Sequence, residues 1–325
     1  MDRVKVLVVG VGNWGRHHCL SIRKVPRAEL IGVVGRNPEK VSMRAAEMDV
    51  RGFTSIREAV KVTGANAATV ALVHNAHRET AVELMEKGLH VYVDKPFGAS
   101  LVDAQVMAGA ADKAGVKLMA GFSQRYEPSY FELARLVYSG SLGRIRHVFA
   151  ERQHAKGFNE AHWMADPAIA GGGAVAIWGI HDVDLAMHLV GAEPRRVYAE
   201  MEFDDKGRET QSHIMVRHVS EVISMMDIEY SAFSAEAYAG VLGEKGRAVA
   251  DRLGGLTIYD EVGSPDTRVF LNGEYPAFLT EAMSAFINCI VDDATPPIPA
   301  EDGVRAWSVV DAAYRSARIG KAIEI

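Results

Sequence analysis

Three glycines, Gly10, Gly12 and Gly15, follow directly on the apolar run Val4–Val9, with Val11, Asn13 and Trp14 in the places between them. In a strand-turn-helix, the first glycine of such a G-x-G-x-x-G permits the tight turn. The second lets backbone approach a pyrophosphate, and the third brings the helix close against the strand. The phosphates then face the positive end of the helix. Glycine-rich turns are common, and an ordinary surface turn is the plainer account of three glycines alone. The flanks tell against it: the strand is β-branched, Arg16–Arg23 reads as a helix, and a second strand, Ala28–Val34, completes the unit. Gly10, Gly12, Asn13, Trp14 and Gly15 are therefore expected to bind a dinucleotide.

Strand and helix patterns alternate through the first third. Val4–Val9, Ala28–Val34, Ala68–Val73, His90–Val93 and Lys117–Ala120 read as strands, and Glu79–Gly88 has apolar residues at helical spacing with a glycine where a helix would stop. This alternation predicts an α/β domain with a parallel, doubly wound sheet covered on both faces. After Phe122 the texture changes to long β-rich stretches, Ile145–Gln153, Arg196–Phe203, Thr210–Arg217 and Glu221–Tyr230, with turns such as Asp204–Gly207. These predict an α+β domain with an open, mainly antiparallel sheet. Helices are expected over Val175–Val190, Tyr275–Val291 and Glu301–Ile319. The division expected is residues 1–122 and residues 123–325.

The chain's 325 residues, 48% apolar and 24% charged, suit two globular domains with proper cores. A net charge of -6 offers no broad footprint for nucleic acid or an anionic membrane. The two cysteines, Cys19 and Cys289, suggest neither a disulfide framework nor a C-x-x-C zinc site. No leader pattern precedes the first strand and no apolar run is long enough to span a bilayer, so the cytoplasm is the expected location.

Asp94, Lys95 and Pro96 follow the strand His90–Val93, which puts the lysine at the carboxyl end of a parallel strand, where ligands bind in open α/β sheets. A cation there polarises a carbonyl oxygen, or exchanges a proton with a carbinol oxygen, while hydride moves at carbon. Proline restricts the lysine backbone to extended conformations and admits a cis bond. Read alone, Lys95 is a solvated surface charge. With the dinucleotide turn upstream it is the first candidate for catalysis.

At this point the chain resembles the glucose-fructose oxidoreductase, inositol dehydrogenase and rhizopine-catabolism family, written Gfo/Idh/MocA. The markers run in order over nearly the whole length: the glycine turn, His77, Asp94-Lys95-Pro96, Gly121 to Pro128 with Arg125, Gly140 to Gly143, Trp163 to Pro167, Gly171 to Gly173, and His181 with Asp184. The resemblance implies a Rossmann domain, a second domain with an open sheet, and a nicotinamide in the cleft between them. It further implies oxidation of a sugar or cyclitol hydroxyl, or reduction of the matching ketone. On that basis Lys95 and His181 are the catalytic acid/base pair, and Lys95, Arg125, Trp163, Ile177 and His181 line the substrate site. An imidazole titrates near neutrality and suits proton sharing with Lys95 and a substrate oxygen. The competing account of His181 is a core histidine bonded to backbone.

The departures matter too. Asp94 replaces the family's glutamate and keeps the lysine. Ile177 stands where an aspartate is usual one helical turn before the histidine, and Met164 where an arginine often follows the tryptophan, so the pocket is expected to be less polar than that of a cyclitol enzyme. The loop Leu72 to His77 replaces a usual Thr-Pro-Asn. Val73 and His74 are expected to touch the nicotinamide ribose, and His77 either joins them or caps the next helix. His181, Asp184 and His188 share a helix face, but they lack the i, i+4 histidine pair of a zinc helix and hydride transfer needs no metal, so no metal is expected.

An acid about twenty positions after the glycine turn would bind the adenine ribose of NAD. Here the place holds Gly35, Arg36 and Asn37. A guanidinium pairs with a 2'-phosphate through bidentate bonds, which favours NADP over NAD; alternatively Arg36 stacks on adenine in either cofactor. The expected partners are a carbohydrate or polyol and further copies of the chain, as a homodimer or homotetramer, because Ile214, Val216, Ile223, Met225 and Met226 put apolar groups on both faces of the second sheet. Two other readings stay open: a non-catalytic nucleotide-sensing regulator, and an enzyme that cleaves a glycoside through transient oxidation.

Overall fold

The computed structural model describes residues 3–155, 157–232, 235–260, 262–270 and 275–325; Met1 and Asp2, within the first expected domain, lie outside them. In chain order the first elements are β1 (Val4–Val9), α1 (Asn13–Lys24), β2 (Ala28–Val34), α2 (Pro38–Glu47), β3 (Arg51–Phe53), α3 (Ile56–Thr63), β4 (Ala67–Val70), α4 (His77–Glu86), β5 (His90–Asp94), α5 (Leu101–Ala114) and β6 (Leu118–Gly121). There follow α6 (Pro128–Tyr138), β7 (Ile145–Ala155), α7 (Pro167–Ala170), α8 (Ile180–Val190), β8 (Pro194–Phe203), β9 (Glu209–His218), β10 (Ile223–Ala232), β11 (Ala237–Gly243), β12 (Arg247–Asp251), β13 (Gly255–Tyr259) and β14 (Pro265–Val269). The chain closes with α9 (Ala277–Val291), α10 (Ala300–Ile319) and β15 (Ile323–Glu324).

Two compact units result: residues 1–123 with 274–304, and residues 124–273 with 305–325. Helix α9 belongs to the first of these units. Thr280 Oγ1 lies 3.3 Å from Ser21 Oγ of α1, and Arg27 is held by Asn288 at 2.9 Å and by Asp292 at 2.6 Å.

The first unit carries a sheet in the order β3-β2-β1-β4-β5-β6, every pair parallel. Its strands are near-continuous apolar runs because both faces are covered; Val6, Leu7, Val8, Val33, Val70, Val91 and Val93 are buried. The helices begin where short polar side chains accept orphan N–H groups: Asn37 from Lys40 at 2.9 Å, Ser55 from Glu58 at 3.3 Å, Ser100 from Asp103 at 3.1 Å. Strand order reverses beside β1, and the loops after β1, β4 and β5 emerge together at the carboxyl edge. β4 ends at Val70, short of the expected Val73, because the chain bends into a 3-10 turn over His74–Ala76 that feeds α4.

The second unit carries nine strands in the order β14-β13-β12-β11-β7-β10-β9-β8-β15, antiparallel except for β7 with β10. Strands β11 to β14 were not anticipated from sequence. Alternation puts Val148, Ala150, Ile214, Val216, Met226, Ile228, Ala239 and Val241 inside, with α8 packed against β7, β10 and β11. The expected helix Val175–Val190 is two pieces, a π-helical turn over Val175–Gly179 and then α8. Among the described residues no helix is long and apolar enough to cross a membrane.

Candidate active site

The glycine turn gives each glycine a separate reason. Gly10 has a φ of +127°, and a Cβ there would overlap the carbonyl oxygen of Ala71 at the end of β4. A Cβ on Gly15 would overlap the carbonyl of Gly10, so this residue sets how closely α1 approaches the turn. Around Gly12 a Cβ meets nothing within 4 Å, and Gly12 and Asn13 are exposed. Gly12 is the N-cap of α1 with no side-chain bond to the helix, and the first turn holds no acidic residue. The first N–H groups of α1 thus present uncompensated positive charge beside open backbone, which fits a dinucleotide diphosphate. Arg44, buried in α2, donates to the carbonyls of Val11 and Gly12, at 3.4 Å each, and to Glu47.

Asp94 ends β5 and Lys95 stands half-buried beyond it, at the same sheet edge as the glycine turn; the Lys95–Pro96 bond is cis. Asp94 is buried, with Oδ1 at 3.9 Å from Nε2 of His18, a fully buried residue of α1. His77 opens α4 with its ring enclosed. Nδ1 lies 3.0 Å from the Pro96 carbonyl and Nε2 lies 3.1 Å from that of Leu72. It therefore ties the loop after β4 to the loop carrying Lys95, and it does not cap α4 through its side chain. Burial pulls its pKa below the usual histidine value, opposed by Asp94 and the two carbonyls. Val73 and His74 lie in the bend before α4, His74 buried with its ring 5.8 Å from that of His77. Arg36 is exposed after β2, while its neighbour Asn37 is occupied in capping α2.

In the second unit, His181 is the second residue of α8 and is 7% exposed. Its helix is braced by two buried ion pairs. Arg125 Nε reaches Asp184 Oδ2 at 2.8 Å, with a second bond to Oδ1, and Arg152 of β7 grips Asp182 in the same way while reaching Gln124 at 2.8 Å. Bidentate pairs of this kind are rigid, and removing one partner strands a buried charge at about 3–5 kcal/mol. Arg125 thus braces α8 through Asp184. Trp163 is half-buried in a short 3-10 turn, and Ile177 is wholly buried in the π-helical turn, where a carboxylate would need its own partners. His188 Nδ1 lies 3.1 Å from the hydroxyl of Tyr138, and among the described residues no group of three or more His, Cys, Asp or Glu is arranged for a metal.

Sequence reasoning missed His18, Arg152, Asp182 and Glu209. Glu209 is 1% exposed, and its carboxylate accepts from the N–H groups of Gly173 at 2.7 Å, Val175 at 2.9 Å and Ala176 at 3.4 Å, and from Tyr314 Oη at 2.8 Å. The available signal was a charged residue at an inward strand position, as with Arg152 between Ala150 and His154.

Two family models cover most of the chain: the oxidoreductase family with an NAD-binding Rossmann fold at residues 4–122, and the GFO/IDH/MocA C-terminal domain at residues 130–249. A myo-inositol 2-dehydrogenase of Thermotoga maritima is 23% identical, the match covering 99% of this chain and 98% of that one. A 1,5-anhydro-D-fructose reductase of Ensifer adhaerens is 25% identical over 98% of this chain and 97% of its own length. Among solved structures, a levoglucosan dehydrogenase in complex with NADH and L-sorbose superposes with a TM-score of 0.93 at 17% identity, covering 100% of this chain and 99% of that one. With the glycine turn, the Asp94-Lys95-Pro96 strand end and both family models in agreement, the chain belongs to the Gfo/Idh/MocA oxidoreductases, enzymes with an NAD-binding Rossmann fold.

Proposed function

We propose that this protein transfers hydride between a nicotinamide cofactor and a sugar-like or polyol CH–OH group or the matching ketone, with Lys95 and His181 handling the proton. The observation that carries the reading is Lys95 at the carboxyl end of β5, on the same edge of one parallel sheet as the open N-terminus of α1. The open backbone at Gly12 and the first N–H groups of α1 would hold the diphosphate. Arg36 would pair with a 2'-phosphate, and NADP is the preferred cofactor on that ground. Val73 and His74 would contact the nicotinamide ribose, with His77 fixing their loop. The bound nicotinamide supplies the hydride acceptor or donor at carbon. In the oxidative direction Lys95 takes the proton of the substrate hydroxyl as its C–H bond breaks, and His181 exchanges that proton onward; in reduction the same pair returns it. Trp163 would pack on the substrate. The buried Ile177 and the apolar Met164 leave fewer polar groups than a cyclitol site needs, which supports a sugar-like substrate over an inositol. The substrates named for the relatives, an inositol and an anhydro sugar, bracket this class.

The test is turnover with NADP and with NAD against a panel of sugars, polyols and ketoses. Lys95→Met should lose at least about a thousandfold in turnover on the best substrate, in line with the loss of a general acid/base, while the cofactor Kd stays within about threefold. Near-normal rates in that variant would overturn the assignment. A kcat/KM ratio below one for NADP over NAD removes the NADP preference, and silence across the panel with tight cofactor binding favours the sensing reading.

A further inference from the structure

The glycine run Gly171–Gly173 is one of the marks of the substrate half of this chain, yet two of its glycines are explained by something other than a ligand. Gly172 has a φ of +151°, and a Cβ there would overlap the hydroxyl of Tyr314. A Cβ on Gly173 would lie 2.6 Å from the carbonyl oxygen of Glu209, 2.7 Å from its nitrogen and 2.9 Å from Oε2. The run is bare so that a carboxylate and a phenol can come in from β9 and α10. Glu209 then accepts three consecutive-turn N–H groups and the Tyr314 hydroxyl. These amides belong to the start of the π-helical turn that leads into α8, whose first residues carry no side-chain cap of their own. Burial pushes the Glu209 carboxyl up, opposed by the Tyr314 hydroxyl and the backbone amides; burial and the facing carboxylate push Tyr314 well above its ordinary value.

We infer that Glu209 and Tyr314 are positioning residues for His181: a carboxylate-phenol anchor that sets where the helix carrying the imidazole begins. Ion pairs from Arg152 and Arg125 hold Asp182, in the first turn of α8, and Asp184 farther along, while Glu209 holds the amides ahead of that turn. Without the anchor, the amides of Gly173, Val175 and Ala176 lose their acceptor, and the turn relaxes toward other partners. His181, five residues past Ala176, moves with it. The missing acid at position 177 sharpens the point, because the leading turn itself, at Ile177, supplies no carboxylate to steady the histidine. The acid that steadies its helix comes instead from a strand. The inference rests on the reading of His181 as part of the acid/base pair, and its test is arranged so that the two fail separately.

Glu209→Gln keeps the shape and replaces one acceptor oxygen by a donor aimed at N–H groups. In protein shown folded by circular dichroism, the variant should lose at least about tenfold in kcat on the best substrate of the panel, with substrate KM and cofactor Kd each within about threefold. The His181 ring resonance, assigned through His181→Asn, should shift. Tyr314→Phe, which removes one hydroxyl and no bulk, should move the same readouts in the same direction by a smaller factor, and it decides the matter if Glu209→Gln does not fold. An unshifted His181 ring, a kcat within twofold of wild type, or kcat and cofactor binding falling together with the folded fraction would each overturn the inference. A His181→Asn enzyme with wild-type kcat would instead overturn the functional reading, while the ring resonance in Glu209→Gln still reports on the anchor.

Discussion

Glu127 precedes the first turn of α6 at 4% exposure, with Arg252 at 3.9 Å and Arg152 nearby. Burial pushes its carboxyl from an ordinary 4.5 up to about 7, the two arginines holding the rise in check. The folded chain keeps this proton over a range in which the unfolded chain has lost it. Stability from this group is therefore complete below about pH 4.5 and drains away as the pH climbs through 7. Glu127→Gln carries no such charge to bury, so its stability relative to wild type should improve by about 3 kcal/mol between pH 4.5 and pH 7.5, by denaturant unfolding at each pH. A flat difference would mean that Glu127 reaches water. Residues of this kind are where sequence reading is weakest. Glu127, Glu209, Arg152 and Asp182 look like surface charges on a page, because what distinguishes them is a partner far along the chain. The place of Lys95 was legible for the opposite reason: it follows from the strand immediately before it.

At the scale of elements, β1 and β2 end where expected: beyond the exposed Lys5 and Glu29 near their starts, both run apolar to their ends because the sheet is covered on both faces. Strands β11 to β14 were not legible, being short and rich in alanine, glycine and polar residues; Pro265–Val269 is exposed throughout. The split at Gly179 was also hidden, since Val175 to Val190 reads as one amphipathic stretch. The glycine turn is the element whose parts separate most cleanly by experiment. Gly10→Ala and Gly15→Ala each drive a methyl into backbone, and should lower stability by several kcal/mol in thermal or denaturant melts. Gly12→Ala meets open space at an ordinary φ of −73°, and should keep its stability while weakening cofactor binding by about tenfold or more in a titration. Equal destabilisation by all three would mean that Gly12 serves the fold and not a ligand.

At the scale of the molecule, the second sheet presents its outer face with Met215 and Met225 each 39% exposed, near a His213–Asp227 pair at 2.6 Å. The inner partners Ile214, Val216 and Met226 are buried, so alternation alone leaves the methionines facing outward. A face of this kind suits a second copy of the chain. Replacing both Met215 and Met225 by glutamate should reduce the mass seen by sedimentation to that of one chain, and a wild-type protein that already sediments as one chain would remove the idea.

The return of residues 274–304 to the first unit carries a consequence for how the chain is made. Helix α1, with Cys19 and Ile22 destined for the interior, leaves the ribosome well before α9, which packs on it and holds Arg27. Until then the nascent nucleotide-binding half carries a bare oily flank, which folding helpers must shield or neighbouring chains will find. The unit whose strands come first of the two is thus completed only after most of the sheet of the other has been made.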